Sequence, residues 1–126
     1  MALLVSTIVA LSSAQIYASN KICPPIDITR VKTNDWMYAK KWSDGRWIFL
    51  SEIYEYTIEG WNTQWNTSLV LKLPKINDIR EAKMEATRQF KTLQLVSPYP
   101  GDYDSCDYTP AGAGYSVSSQ SPPMGP

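Results

Sequence analysis

The sequence predicts an α+β domain in which an antiparallel sheet of four to five strands carries one amphipathic helix on one face. Aromatic-rich, alternating segments fill residues 26–73, and a single segment of helical periodicity follows at residues 77–95. Two cysteines bracket both regions. One helix covers one face of such a sheet, so the expected order is β-β-β-β-α-β with one disulfide. A chain of 126 residues is expected to form one domain.

Residues 2–13 form an apolar run, ALLVSTIVALSS, that is too short to span a bilayer, which takes roughly twenty residues. The run resembles the apolar region of a secretory signal, with small residues for cleavage after Ala14 or Ala18. No Lys or Arg precedes it, and the alternative is a buried terminal strand or helix. No cysteine stands at either cleavage position, so no stable membrane anchor is expected.

The predicted organisation is a signal peptide at residues 1–18, a single domain at residues 19–119 and a disordered tail at residues 120–126. The tail is rich in Pro, Ser and Gly and offers little apolar surface to bury. The predicted location is secreted or periplasmic.

The two cysteines, Cys23 and Cys106, favour a disulfide, because an even count in an exported protein usually pairs. Closing so long a loop stabilises a fold by about 4 kcal/mol in the chain-entropy model. The alternative is two separate buried thiols. Neither cysteine has a CxxC partner or a nearby His, so redox catalysis and metal binding have no support.

The first strands are predicted from alternation and turn residues. Residues 26–31 alternate and give a short strand or an extended lead-in. Residues 36–42 form the next strand, and Asp44-Gly45 predicts a tight hairpin turn, since Gly tolerates a positive φ. Trp42 and Trp47 are expected to lie near each other across this hairpin.

Residues 46–59 are predicted to form one long strand, covered on both sides in its first half. Gly60 ends it. Residues 61–67 are an irregular loop or the start of the strand at residues 68–73. Alternation along the long strand predicts one face with Ile48, Leu50, Glu52, Tyr54, Tyr56 and Ile58, and another with Trp47, Phe49, Ser51, Ile53, Glu55 and Thr57.

The helix is predicted at residues 77–95, where apolar residues recur at steps of three and four. Asn77 or Asp78 is suited to cap its first turn. A Pro/Gly/Asp loop follows at residues 97–107, and residues 114–118 alternate and add a last strand. The predicted buried stripe of the helix is Ile79, Ala82, Ala86, Phe90 and Leu93.

Two aromatic surfaces are candidate contact sites. If tryptophans lie on the uncovered sheet face, they form a platform for a sugar, a lipid or a partner protein. They would otherwise fill the core and cross-strand pairs, or pair two copies through that face. Tyr99 and Tyr103 mark a second candidate, the loop at residues 98–108. The tryptophans are Trp36, Trp42, Trp47, Trp61 and Trp65.

No catalytic residue, cofactor or metal site is assigned. The chain has no His, which removes the commonest general base and metal ligand and excludes a Ser–His–Asp triad. No SxxK motif offers a Ser–Lys alternative. Alternation places Glu55 and Glu59 on one face and Glu52 on the other, as solvated strand positions. The enzyme assignment stays open, leaning towards a non-enzyme.

Two further motifs have ordinary structural interpretations. Asp102, Asp104 and Asp107 lie in one loop, yet the Gly and closing Glu of an EF-hand are missing, so a solvated turn is expected. Asn66-Thr67-Ser68 is a glycosylation sequon, meaningful only in a eukaryotic secretory pathway. The twelve basic and twelve acidic side chains balance, which argues against nucleic acid as a partner.

Several short motifs follow one another along the chain. They are Cys23-Pro24 with Ile26 and Ile28, the hairpin tryptophans Trp36, Trp42 and Trp47, the helix residues Ala82 and Ala86, then Pro98, Pro100, Cys106-x-Tyr108, Gly114-Tyr115-Ser116-Val117 and a Ser-Pro-Pro tail. This order resembles a family of small secreted proteins from Legionella and relatives, assigned to a domain of unknown function. The resemblance implies a type II secretion substrate or other exported protein of a host-associated bacterium, and it carries over no catalytic residues.

The sequence therefore favours an exported, non-enzymatic binding or effector protein, acting through the aromatic sheet face or the loop at residues 98–108. Its candidate partners are a host protein, a glycan or a lipid, and its expected state is a monomer or homodimer. The alternative class is a small secreted hydrolase or an inhibitor of one. A structural envelope protein without a ligand is the third interpretation.

Overall fold

The computed structural model describes residues 23–26, 36–100 and 105–125. These residues form one helix and seven strands in an antiparallel sheet, which confirms the predicted α+β class. The predicted signal segment and all of the predicted first strand except Ile26 lie outside the described residues. The elements are β1 (Trp36–Lys41), β2 (Arg46–Ser51), β3 (Tyr54–Ile58), β4 (Trp61–Lys72), α1 (Ile79–Phe90), β5 (Tyr99–Pro100), β6 (Ser105–Asp107) and β7 (Ser116–Gln120).

The sheet has the order β1-β2-β4-β7-β6-β5, and β3 also pairs with β4. Every pair is antiparallel. The two short strands β5 and β6 lie in the segment that the sequence predicted as a loop, because two or three residues show no periodicity. In contrast, β4 takes in all of residues 61–67, so the alternative of a strand is correct there.

The hairpin between β1 and β2 turns at Asp44-Gly45, as predicted. Gly45 has a φ of 89°, a left-handed conformation that favours glycine. The backbone N–H of Leu73 donates to the Gly45 carbonyl at 3.0 Å, which holds the turn against the end of β4. A Cβ on Gly45 would lie 2.9 Å from the Pro74 Cβ, so the turn has room only for glycine.

The predicted long strand is interrupted. Leu50 in β2 pairs with Ser68, whereas Tyr54 in β3 pairs with Trp65. An unbroken antiparallel ladder would place Tyr54 opposite Gln64. The chain therefore carries one extra residue at Glu52-Ile53, which is the definition of a β-bulge.

The bulge exchanges the two faces of the strand, which corrects the predicted alternation. One extra residue moves every later side chain to the opposite face. Tyr54 and Tyr56 consequently pack against the same core as Trp47 and Phe49, not with Ile48 and Leu50 as predicted. Local alternation could not reveal this change, because residues 52 and 53 carry no turn residue.

Helix α1 is shorter than predicted and covers one end of the sheet. Asp78 caps it, with its Oδ2 accepting from the Glu81 backbone N–H at 2.8 Å, as expected from the sequence. The small side chains of Ala82 and Ala86 are fully buried and let the helix approach β1 and β2. Phe90 meets the ring of Trp36 edge-on, with centroids 5.4 Å apart. Ile79, predicted in the buried stripe, is instead 52% exposed.

The Cys23–Cys106 disulfide is present, as predicted, with the Cα atoms 5.9 Å apart. It joins residues 83 positions apart and fastens the start of the described chain to β6. The Tyr108 hydroxyl donates to the carbonyl of the buried Pro24, which adds a second attachment at the same place. Burial raises the pKa of Tyr108 above its usual value, so this hydroxyl keeps its proton.

The last described residues attach to β4. The Asn66 Nδ2 donates to the Met124 carbonyl at 2.9 Å, and the Asn66 Oδ1 accepts from the Met124 N–H at 2.9 Å. Strand β7 extends to Gln120, the first residue of the predicted tail. Among the described residues, no helix combines the length and the apolar character needed to cross a membrane.

Candidate functional site

Three of the five tryptophans belong to the core. Trp36, Trp47 and Trp65 are each 2% exposed. The indole N–H of Trp47 donates to the Ile76 carbonyl at 3.2 Å, and that of Trp65 donates to Thr63 Oγ1 at 2.8 Å. Large aromatic side chains at these positions fill the fold. These three residues are therefore core residues first, and they do not form an exposed aromatic platform.

The other two tryptophans lie nearer the solvent, and they differ. Trp42 is half-buried, and the Arg46 guanidinium lies 4.7 Å from its ring centroid. Arg46 also pairs with Asp44, Nε to Oδ2 at 2.7 Å, and the hydrogen bond from the Arg46 backbone N–H lowers the pKa of Asp44. Trp61 is 76% exposed, more than any other large apolar side chain of the described residues.

Trp61 lies on a two-stranded projection that we call the β3–β4 arm, residues 54–65. Its turn is made by Glu59 (φ 50°) and Gly60 (φ 83°), both in the left-handed region that suits a two-residue hairpin turn. In the described part of the chain, β1 pairs only with β2, and β7 meets β4 only from Asn66 onward. The arm therefore has no strand partner at either outer edge within those residues.

The two faces of the arm differ in chemistry. Cross-strand pairing places Tyr54 opposite Trp65 and Tyr56 opposite Thr63, so these side chains share a face with Trp61. This face runs from the buried core outward to the exposed indole. The opposite face is polar, with the pairs Glu55–Gln64 and Thr57–Asn62.

A hydroxyl network marks the point where the arm joins the core. The Tyr54 hydroxyl lies 3.0 Å from Thr67 Oγ1 and donates to Ser119 Oγ at 3.0 Å. Thr67 Oγ1 and Ser119 Oγ are 3.1 Å apart. Ser119 is fully buried, and no base contacts it among the described residues. The network satisfies buried polar groups and has no geometry for nucleophilic catalysis.

The predicted loop surface is only partly described. Tyr99 is 44% exposed, and its hydroxyl donates to the Thr109 carbonyl at 3.1 Å. Tyr103 and the aspartates at positions 102 and 104 lie outside the described residues. Asp107 accepts from the Thr109 backbone N–H at 2.8 Å, and burial followed by the Asp107 charge raises the pKa of Tyr99. The described part of the chain holds no group of three potential metal ligands.

The sequon and the carboxylates also have definite places. Asn66 is 3% exposed and fully engaged by Met124, so the folded chain presents no free acceptor amide there. Glu52, Glu55 and Glu59 are exposed, as expected for solvated positions. Residues 47–71 contain these three carboxylates and no Lys or Arg. The arm is accordingly an acidic region of a chain whose net charge is zero.

A groove beside α1 was not predicted. It has a volume of about 840 Å³, and three exposed apolar side chains line it. Met37 lies at the start of β1, whereas Ile79 and Met84 lie on α1, where Ile79 faces away from the core. The sequence held one signal of this groove that was missed. Ile79 and Lys83 are spaced so that they lie on the same, outer side of the helix. Its described lining residues are Trp36, Met37, Asp78, Ile79, Arg80, Lys83 and Met84.

No family model, curated protein or solved structure matches this chain.

Proposed function

We propose that this chain is an exported, non-enzymatic binding or effector protein of a host-associated bacterium, and that it contacts its partner through the β3–β4 arm. The observation that carries the proposal is the exposure of Trp61, 76%, at the outer end of an aromatic face. Burying a large apolar side chain releases roughly 1.5–3 kcal/mol. This free energy contributes to binding when a partner covers the exposed indole.

The surroundings of Trp61 support a contact role. The arm has unpaired outer edges in the described part of the chain, and its polar face carries Glu55, Gln64 and Asn62. Aromatic residues beside such hydrogen-bonding groups are enriched in the cores of interfaces and in ligand sites. Trp42 is less suited to this role, because Arg46 already covers its ring.

Export is supported by the disulfide between Cys23 and Cys106. Such bonds persist in oxidising compartments and are rare in the cytosol of most organisms. The apolar run at residues 2–13, which is typical of a secretory signal, agrees with this.

The alternative of a small secreted hydrolase has less support. A hydrolase is expected to gather at least two ionisable groups with perturbed pKa values in one pocket. Among the residues that the structure describes, Glu85 has the strongly lowered carboxylate pKa, and it pairs with Arg88 on the outer side of α1. The alternative class also includes an inhibitor of a hydrolase.

The test is binding of the mature domain to defined probes: a glycan panel, anionic lipid vesicles and purified host-surface proteins. Trp61→Ala is expected to reduce binding to the recognised probe at least about tenfold, as for a hot-spot tryptophan. Trp42→Ala is the matched control and is expected to leave binding within about twofold.

Acrylamide quenching gives an independent measurement. Trp61→Phe removes the Trp61 indole and should eliminate most of the readily quenched fluorescence. In the wild-type domain, the true ligand should protect that fluorescence from acrylamide. Binding that is indifferent to Trp61→Ala would contradict the proposed surface. Turnover of a substrate by the domain would overturn the non-enzymatic assignment.

A further inference from the structure

We infer that the β3–β4 arm of one copy docks into the groove beside α1 of a second copy, so that the chain associates head to tail. The inference rests on the proposed function only in using the arm as a contact surface. It names the partner as a second copy of this chain. Three properties of the two surfaces carry it: shape, apolar character and charge.

The helix groove, defined as the cavity lined by residues 36, 37, 78–80, 83 and 84, has the size of a binding site. Its volume of about 840 Å³ lies within the roughly 300–1,000 Å³ typical of ligand pockets. A single indole fits in such a space with room for neighbouring residues. The groove also borders the buried Trp36, which gives it a rigid floor.

Three exposed apolar side chains line the groove. Met37 is 61% exposed, Ile79 is 52% exposed and Met84 is 56% exposed, and all three line the same cavity. Contiguous apolar groups rimmed by charged ones mark interaction sites more often than scattered ones do. Methionine adapts its shape to an aromatic partner, and its sulfur makes favourable contacts with aromatic rings. Trp61 is the most exposed aromatic side chain among the described residues.

The charges of the two surfaces are opposite. Arg80 and Lys83 line the groove with one opposing carboxylate, Asp78, which is already engaged as the acceptor of the Glu81 N–H. The positive end of the helix dipole lies at the same place. The arm carries the acidic residues Glu55 and Glu59 and no Lys or Arg. Electrostatic complementarity of this kind favours association and sets its orientation.

The two surfaces occupy different places on one copy. Helix α1 packs on β1 and β2, whereas the arm begins after the bulge at which β2 ends. Trp61 does not line the groove of its own chain. A contact between different patches is heterologous, and it leaves one free arm and one free groove on every pair. Head-to-tail association therefore extends to chains or closes into a ring of at least three copies, which distinguishes it from a dimer that exchanges both arms reciprocally.

The experiment uses two variants that each remove one side of the contact. Trp61→Ser removes the arm contact, and Met84→Glu places a charge in the groove. Sedimentation velocity should show a wild-type average mass that rises with protein concentration and falls with added salt, since salt screens charge attraction. Each variant alone is expected to raise the apparent dissociation constant about thirtyfold, the effect of losing one hot spot.

Mixing the variants gives the decisive result. Trp61→Ser keeps its groove and Met84→Glu keeps its arm, so an equimolar mixture should form a 1:1 dimer that cannot grow. Val96→Ser removes an exposed apolar side chain elsewhere and is expected to associate like the wild type. Unchanged circular dichroism and unfolding midpoints establish that each variant folds.

Several results would overturn the inference: a wild-type protein that stays monomeric at all concentrations, a variant mixture that stays monomeric, or a wild-type dimer that does not grow further. Partner binding that depends on Trp61 without any self-association would refute this inference alone and leave the proposed function standing. Self-association without any binding to the probe panel would support the inference and count against the proposed function.

Discussion

Strands β2 and β3 pair with the same partner, β4, and they define two regions of the sheet that we call the β2 half and the β3 half. The two halves differ in which elements cover them. In the β2 half, Trp47 and Phe49 stack with centroids 6.1 Å apart, and Phe49 lies 5.9 Å from Trp36. Helix α1 closes this half through Phe90. In the β3 half, the same face continues with Tyr54 and Tyr56, whereas the main strand contacts of α1 among the described elements are with β1 and β2.

The difference teaches that buried packing and the exposed aromatic group are separated along one strand, β4. A helix of 12 residues is about 18 Å long, which suffices for the β1–β2 end of the sheet but not for the arm. The bulge at Glu52-Ile53 turns the aromatic face of β3 towards the core. Trp61 lies on the same face, beyond the part of the sheet that helix α1 covers. The β2 half therefore stabilises the fold, and the β3 half presents an aromatic group.

The most direct test of this difference between the two halves is to remove one large aromatic side chain from each. Phe49→Ala leaves a cavity beneath α1 and should lower the free energy of unfolding by about 3–5 kcal/mol. Trp61→Ala removes an exposed side chain and should change it by less than about 0.5 kcal/mol. Urea unfolding of both variants checks this, and equal losses would show that the arm is part of the core.

The disulfide lies outside both halves, at β6, and it stabilises the fold. The double variant Cys23→Ala/Cys106→Ala should lower the free energy of unfolding by about 4 kcal/mol, because the unbridged denatured chain gains conformational entropy. Guanidinium unfolding of the variant beside the oxidised wild type measures the loss. An unchanged midpoint would mean that the Tyr108–Pro24 contact and local packing already hold this segment.

A smaller effect is expected where the two halves meet. Tyr54→Phe removes the hydroxyl shared by Thr67 and Ser119 and should cost about 1 kcal/mol, since a buried partner loses a hydrogen bond. Tyr38→Phe is the matched control, because the Tyr38 hydroxyl makes no hydrogen bond with the described residues. Urea unfolding should separate the two variants, and equal values would indicate that the network contributes nothing.

The smallest effect concerns Glu85 on the outer side of α1. Hydrogen bonds from Arg88 and then Gln89 lower the pKa of Glu85 to about 2. The folded state thus favours the ionised form, and this contribution is present above the ordinary carboxylate pKa and lost as the pH falls through about 2. The pair lies at the surface, so the gain is small and screened by salt. Carboxyl NMR titration should find the low midpoint, and Arg88→Gln should raise it; an ordinary midpoint in the wild type would contradict the pairing.

Much of the fold follows from local patterns. The helix with its Asp78 cap, the turn at Gly45, the pairing of Cys23 with Cys106 and the α+β class all agree with the sequence. The candidate site was predicted less well. The sequence named all five tryptophans together, and alternation alone could not divide them into buried and exposed ones. The helix groove was missed because Ile79 fits the periodicity of a buried stripe.

By itself, the sequence determined the elements whose causes lie within a few residues: a cap needs a side-chain oxygen at the first turn, and a tight turn needs glycine. Tertiary structure alone decided the bulge, the short strands β5 and β6, and the exposure of Trp61 and Ile79. The register of the strands and the burial of their side chains depend on which distant segments pack together. One extra residue in β2–β3 reverses every side chain that follows, and that choice is made by pairing with β4.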